Sequence, residues 1–209
     1  MVRALKKKPQ ADGRTRLLDT AERMLDELGI DGVSLRTLTT RAGHRNASAV
    51  NYHFGNRAQL VEAVFQRRNE AVEARRNELL DALEAAPPVT PRAAIEAIVL
   101  SLADQLRDEA GRRHLRLILQ GVAHPDFYTK EATSYGPSLV RALPAVLPLV
   151  AHLPRALQMQ RLRLGVLAVV FAIGEQARLI DAPAPTRKPL AHDRFVTDLV
   201  DSVVGMLRA

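Results

Sequence analysis

Cysteine and tryptophan are absent from the 209 residues, and aromatic side chains make up only 4% of them. Without thiols the chain has no disulfide framework, no thiolate metal site and no cysteine nucleophile, a composition that fits a reducing cytoplasm. With so few rings, Leu, Val and Ala must fill the core, which favours packed helices over a β-sandwich. A glycine-rich phosphate loop and a Ser-His-acid grouping are missing too, so the expectation is a protein that is not an enzyme and needs no cofactor. His114 and His124 stand ten residues apart and share no helical face in any common ligand arrangement, so no metal is expected. The N-terminus lacks the apolar core of a signal peptide. The most apolar run, residues 164–174, is too short to span a bilayer and is flanked by Arg163 and Glu175. The expected location is the cytoplasm, away from membranes.

What the chain does have is positive charge, and its placement is uneven. The formal net charge is +7. Residues 1–16 carry Arg3, Lys6, Lys7, Lys8, Arg14 and Arg16 against one acid, Asp12. Residues 34–57 hold Arg36, Arg41, Arg45 and Arg57 and no Asp or Glu; beyond them the signs mix. A basic patch confined to one end is the footprint of a polyanionic partner, nucleic acid above all.

Hydrophobic periodicity predicts an all-α fold, with no period-two run of β-branched residues. Residues 1–12 read as a basic, disordered arm. Leu17, Leu18, Ala21, Met24, Leu25 and Leu28 mark a helix over Gly13–Leu28, stopped by Gly29. Ser34 suits the N-cap of a short helix, Leu35–Arg41, and Gly43 a left-handed turn. A second short helix is expected over residues 47–53, then a long one over residues 57–84 whose charged middle, residues 67–78, is expected to lie largely exposed. The proline-rich residues 86–91 are the clearest boundary in the chain. Later helices are expected around Ile95 to Leu106 and over residues 115–122, then a proline-broken one over 138–153, and two strong ones over 154–180 and 191–207. The domain reading is an arm (1–12), a DNA-binding domain (13–56) and a helical effector-binding and dimerisation domain (57–209).

Two short helices joined by a glycine turn, behind an amphipathic helix and on a basic surface, form a helix-turn-helix candidate, whose second helix must enter the major groove. The runs GVSLRTLTTRAG and AVNYHFGNRAQL carry Gly32, Ser34, Leu38, Ala42, Gly43, Tyr52, His53, Phe54, Gly55, Arg57 and Leu60. In these features the chain resembles the TetR family of transcriptional regulators over roughly residues 13–65. It departs from the pattern in having eight residues, HRNASAVN, between Gly43 and Tyr52 where the family usually has seven.

Side-chain chemistry suggests the roles. Asn51 can read adenine N6 and N7 together; Arg45 and Asn46 can reach guanine or phosphate; Ser48 can meet either base edge; Arg36 can enter the groove from the first short helix. Tyr52, His53 and Arg57 resemble the family's phosphate contacts.

The resemblance further implies a homodimer on a near-palindromic operator, released by a small-molecule effector. The expected interface is the final helix pair, with Gly165, Ala168 and Ala172 on one helix and Phe195, Leu199 and Val203 on the other. An effector pocket between the middle helices is expected to use Leu102, Leu106 and Leu119, with polar groups from Gln120, His124, Tyr128, Tyr135 and Arg178. Two other readings stay open: a non-specific architectural DNA-binding protein, and a TetR-like activator.

Overall fold

The structure, a computed structural model, describes residues 13–43, 48–123 and 136–209. The expected arm, residues 1–12, lies outside the described residues. Among those described there are helices and no strands. In order they are α1 (Gly13–Leu28), α2 (Leu35–Arg41), α3 (Ser48–Phe54), α4 (Arg57–Glu84), α5 (Pro91–Ala103), α6 (Glu109–Ala123), α7 (Pro137–Val146), α8 (Arg155–Asp181) and α9 (His192–Arg208). Single 3₁₀ turns follow α5 at Asp104–Arg107 and α7 at Leu147–Leu149.

Local chemistry sets most of these ends. Ser34 Oγ accepts from Thr37 N at 3.1 Å, and Thr90 Oγ1 accepts from Ala93 N at 3.2 Å. Each cap satisfies one orphan amide and is worth about 1 kcal/mol. Gly29 leaves α1 at φ 78°, a left-handed conformation that stops the helix. Pro91 opens α5 at a position where its missing N–H costs nothing. Pro144 sits inside α7, and Pro148 falls in the 3₁₀ turn that ends it, so the long apolar stretch is broken as expected.

The chain divides into two compact units, residues 1–66 and 67–209. The division falls within α4, between Gln66 and Arg67, and the proline-rich residues 86–91 join α4 to α5 inside the second unit. In the first unit α2 packs on α1 and α3 on α2, around Leu17, Leu25, Leu38 and Val50, each 1% exposed or less. In the second, α5 packs on α7 and α9, and α8 on α6 and α9.

Three expectations change in the second unit. The charged residues 67–78 were expected to be exposed, yet they bury Val72 completely and leave Arg76 only 5% exposed. The stripe on α9, expected at a dimer interface, is used inside the protomer: Phe195, Leu199 and Val203 are 7%, 6% and 4% exposed and belong to the main core. Finally, the run 164–174 belongs to a 27-residue helix, α8, long and apolar enough by length and composition to cross a membrane. Its Val169, Ile173 and Ala177 are buried in the core, while Leu157, Leu164 and Phe171 remain exposed.

Two glycines on α8 serve crossings within the chain. A Cβ at Gly174 would lie 2.9 Å from both Cβ and Cδ2 of Leu119, whereas one at Gly165 would meet Leu207 Cδ2 at an ordinary 3.4 Å. Gly174→Ala is therefore expected to destabilise by about 1–3 kcal/mol through overpacking. Gly165→Ala is expected to stabilise by up to about 1 kcal/mol through helix propensity. Opposite shifts in urea midpoint check the pair; shifts of the same sign contradict the assignment.

Candidate nucleic-acid interface

The first unit is built to hold one face of α3 outward. Val50 and Phe54, one turn apart, are 0% and 8% exposed and fix the inner side of the helix. Asn51 is consequently exposed, and Tyr52 is 85% exposed, an unusual position for a large ring. Asn51 and Tyr52 are neighbours on that outer face. Gly43, at φ 75°, ends the first helix of the motif in a conformation that other residues rarely adopt.

Further contacts stiffen this frame. The Arg14 guanidinium stands 5.1 Å over the Phe54 ring, a cation–π contact worth about 0.5–1 kcal/mol at an exposed site. Tyr52 and His53 meet edge-to-face with centroids 5.0 Å apart. Asn56 Oδ1 accepts from Gln59 N at 2.9 Å and caps α4.

The candidate residues fare differently. Asn51, Tyr52 and Arg36 are exposed, and His53 is half-buried beside them. Arg45 and Asn46 lie outside the described residues; Ser48 opens α3, and its side chain is likewise outside them. Arg41 pairs with Glu27 of α1 at 3.0 Å. Arg57, expected on phosphate, is turned inward: its Nε donates to Val33 O at 3.1 Å and its Nη2 donates to Ile30 O. These two carbonyls follow α1 and precede α2, so the guanidinium ties the start of α4 to that connection. Sequence reasoning missed this tie, because a basic residue at a helix start looks the same whether it faces phosphate or protein.

Only some of the expected effector residues fall among the described ones. Leu102 and Leu106 join the main core, Leu119 fills the notch over Gly174, and Arg178 is exposed and paired with Glu175 at 3.2 Å. Gln120 is half-buried, with no hydrogen-bond partner for its buried Oε1 among the described residues. His124, Tyr128 and Tyr135 lie outside the described residues. An apolar cavity of about 150 Å³ opens elsewhere, among α5, α7, α8 and α9. Ile95, Ile98, Leu139, Leu143, Val166 and Val169 line it; Gly165 and Val203, expected at the dimer interface, border it as well. Periodicity marks such residues as buried without revealing a void between them.

A buried polar cluster was also unforeseen. Arg76 of α4 donates to Ser101 Oγ of α5 at 3.1 Å, Ser138 Oγ of α7 at 2.9 Å and Glu73 Oε1 at 2.9 Å. Glu73 Oε2 in turn accepts from Ser138 N at 3.0 Å, capping the first turn of α7. Burial lowers the Arg76 pKa, and the Glu73 charge opposes that shift.

Residues 17–64 match the bacterial regulatory proteins of the tetR family. The fold resembles that of SCO4454, a TetR-family transcriptional regulator from Streptomyces coelicolor. That match has 20% identity and a TM-score of 0.52, over 94% of this chain and 88% of the other. It also resembles PfmR, a TetR-family transcriptional regulator from Thermus thermophilus, with 18% identity and a TM-score of 0.50, over 91% and 97%. No curated protein matches the chain. Residues 17–64, which include the helix-turn-helix, thus match the tetR family of bacterial regulatory proteins, and the chain shares the fold of solved TetR-family transcriptional regulators.

Proposed function

We propose that the protein is a homodimeric repressor that binds a near-palindromic operator and leaves it when a small molecule occupies the second unit. The observation that carries the DNA half is the outer face of α3, where Asn51 and Tyr52 project from a helix anchored by Val50 and Phe54. Asn51 reads a base edge, while Tyr52 and His53 take phosphate. Arg36 reaches the groove from α2. Arg57 keeps the two helices in register through Ile30 and Val33.

One reading head covers too few base pairs for useful specificity, so two are needed. Leu157, Leu164 and Phe171 recur every seven residues along the exposed side of α8, with the half-buried Ala168 beside them. That spacing is a helix-pairing seam, and it favours a second copy of the chain over lipid as its cover. Of the helix pair expected at the interface, the proposed contact keeps the outer side of α8 and drops the buried stripe of α9. The polar outer side of α9 carries Gly205, where a Cβ would meet nothing within 4 Å, leaving room for close approach.

Asn51→Ala is expected to cost about 1–3 kcal/mol on the preferred site and nothing on random DNA. Equal loss on both would remove Asn51 from base reading. Arg57→Ala is expected to weaken DNA binding with an unchanged salt slope, because the head loosens and no phosphate contact is lost. A slope lower by about one contact would return Arg57 to the phosphate list. Phe171→Glu is expected to turn a sedimenting dimer into a monomer that still binds half-sites; a wild-type monomer would sink the dimer reading.

A further inference from the structure

We infer that the recess between the 3₁₀ turn after α5, the C-terminal part of α8 and the start of α9 binds a small zwitterion, an α-amino acid with an aliphatic side chain. The inference goes beyond the repressor reading and stands without it. The recess holds about 380 Å³, within the roughly 300–1,000 Å³ of small-molecule pockets. Among the described residues that border it are two opposite charges, Arg107 of the turn and Asp193 of α9, both exposed. They do not pair with each other. Nη2 of Arg107 lies 3.3 Å from Asp104 Oδ1, and Asp104 Oδ2 is taken by Arg75 Nε at 2.9 Å. A guanidinium has five N–H donors, so Nε and Nη1 of Arg107 are left for a second carboxylate. The Asp193 carboxylate pairs with no described residue. A molecule carrying both charges bridges the two.

The interior adds polar groups in need of partners. Gln176 of α8 borders the recess and is 2% exposed; its Nε2 donates to Leu190 O at 2.7 Å, which holds the amide in one orientation. No described residue donates to its Oε1, which is left to accept from an ammonium N–H. His192 has a buried Nε2 with no hydrogen-bond partner among the described residues. Unmet buried polar groups are costly, so a guest with donors and acceptors gains where a hydrocarbon does not.

Leu106, Ile180 and Leu190 supply apolar surface to the same recess. Ile180 and Leu190 are 38% and 39% exposed, area that an aliphatic side chain covers. A guest with one charge fits less well: a carboxylate without an amine faces Asp193, and an amine without a carboxylate faces Arg107. The proposed dimer leaves the recess open. At about 100° per residue, Ile180 projects from α8 roughly opposite to the Leu157, Leu164 and Phe171 seam.

Calorimetric titration of the full chain, without DNA, compares L-leucine with 4-methylpentanoate, which lacks the amine, and 3-methylbutylamine, which lacks the carboxylate. Leucine is expected to bind saturably and about tenfold or more tighter than either analogue, since each forfeits one charge-assisted contact. Asp193→Asn should remove leucine's advantage over 4-methylpentanoate and keep its advantage over the amine. Arg107→Gln should do the reverse. Both side chains are exposed, so neither variant should move the urea midpoint appreciably. No saturable binding of leucine, equal binding of all three molecules, or a preference unmoved by both substitutions would overturn the proposal.

Discussion

Replacing Glu73 by Ala is expected to destabilise the protein by about 3–5 kcal/mol, the range for stripping one partner from a buried ion pair. Arg76 is 5% exposed and cannot regain water when its counter-charge goes. Its two serine partners, Ser101 and Ser138, supply hydrogen bonds but no negative charge. The same substitution removes the carboxylate that caps α7 at Ser138 N. Replacing both ions together with apolar residues, Glu73→Leu with Arg76→Met, should cost much less, since no buried charge is then left alone. Urea unfolding of the three proteins checks this. A Glu73→Ala variant as stable as the wild type would show that the cluster is better solvated than its geometry implies.

His114→Leu is expected to act in the other direction and to change the response to acid. The imidazole is 1% exposed, and neither ring nitrogen has a hydrogen-bond partner among the described residues. Burial, helped by the Arg68 charge, pushes its pKa down to about 3 from an ordinary 6.5. The ring is therefore neutral in the folded chain throughout that window, while the unfolded chain takes up a proton as pH falls below 6.5. Stability supplied by the neutral ring is complete above pH 6.5 and drains away toward pH 3, by about 1.4 kcal/mol per unit. His114→Leu should raise stability at pH 7 by about 1–3 kcal/mol, the cost of leaving a buried polar group unsatisfied. Its advantage should widen steadily at lower pH. An advantage that stays constant between pH 7 and pH 4 would contradict the neutral, buried ring.

The limits of the sequence are physical ones. The bounds of α1, α2 and α4 were readable because local residues set them: Gly29 at one end, Ser34 and Asn56 at the caps. The helix-turn-helix was readable for a related reason, since its glycine turn and the aromatic run Tyr52–Phe54 lie within one short stretch. Tertiary choices were not. The stripe of Phe195, Leu199 and Val203 announces burial, but the same spacing serves a partner chain or the protomer's own α5 and α8. Arg76 was hidden in a charged run whose composition speaks for solvent, and its partners lie on α5 and α7, 25 and 62 residues away. The cavity depends on how four helices fail to fill the space between them, which no single segment encodes. Arg57 shows the limit at one side chain: its charge was legible, but not the pair of carbonyls that receives it.

Selection of binding sites from random double-stranded DNA by the purified protein tests the central claim most directly. A sequence-specific dimeric regulator should enrich one near-palindromic motif, with half-sites about one helical turn apart and a base position that loses its information in the Asn51→Ala variant. Recovery of no motif, with binding that vanishes in moderate salt, would contradict sequence-specific regulation and favour an architectural role for the basic surface.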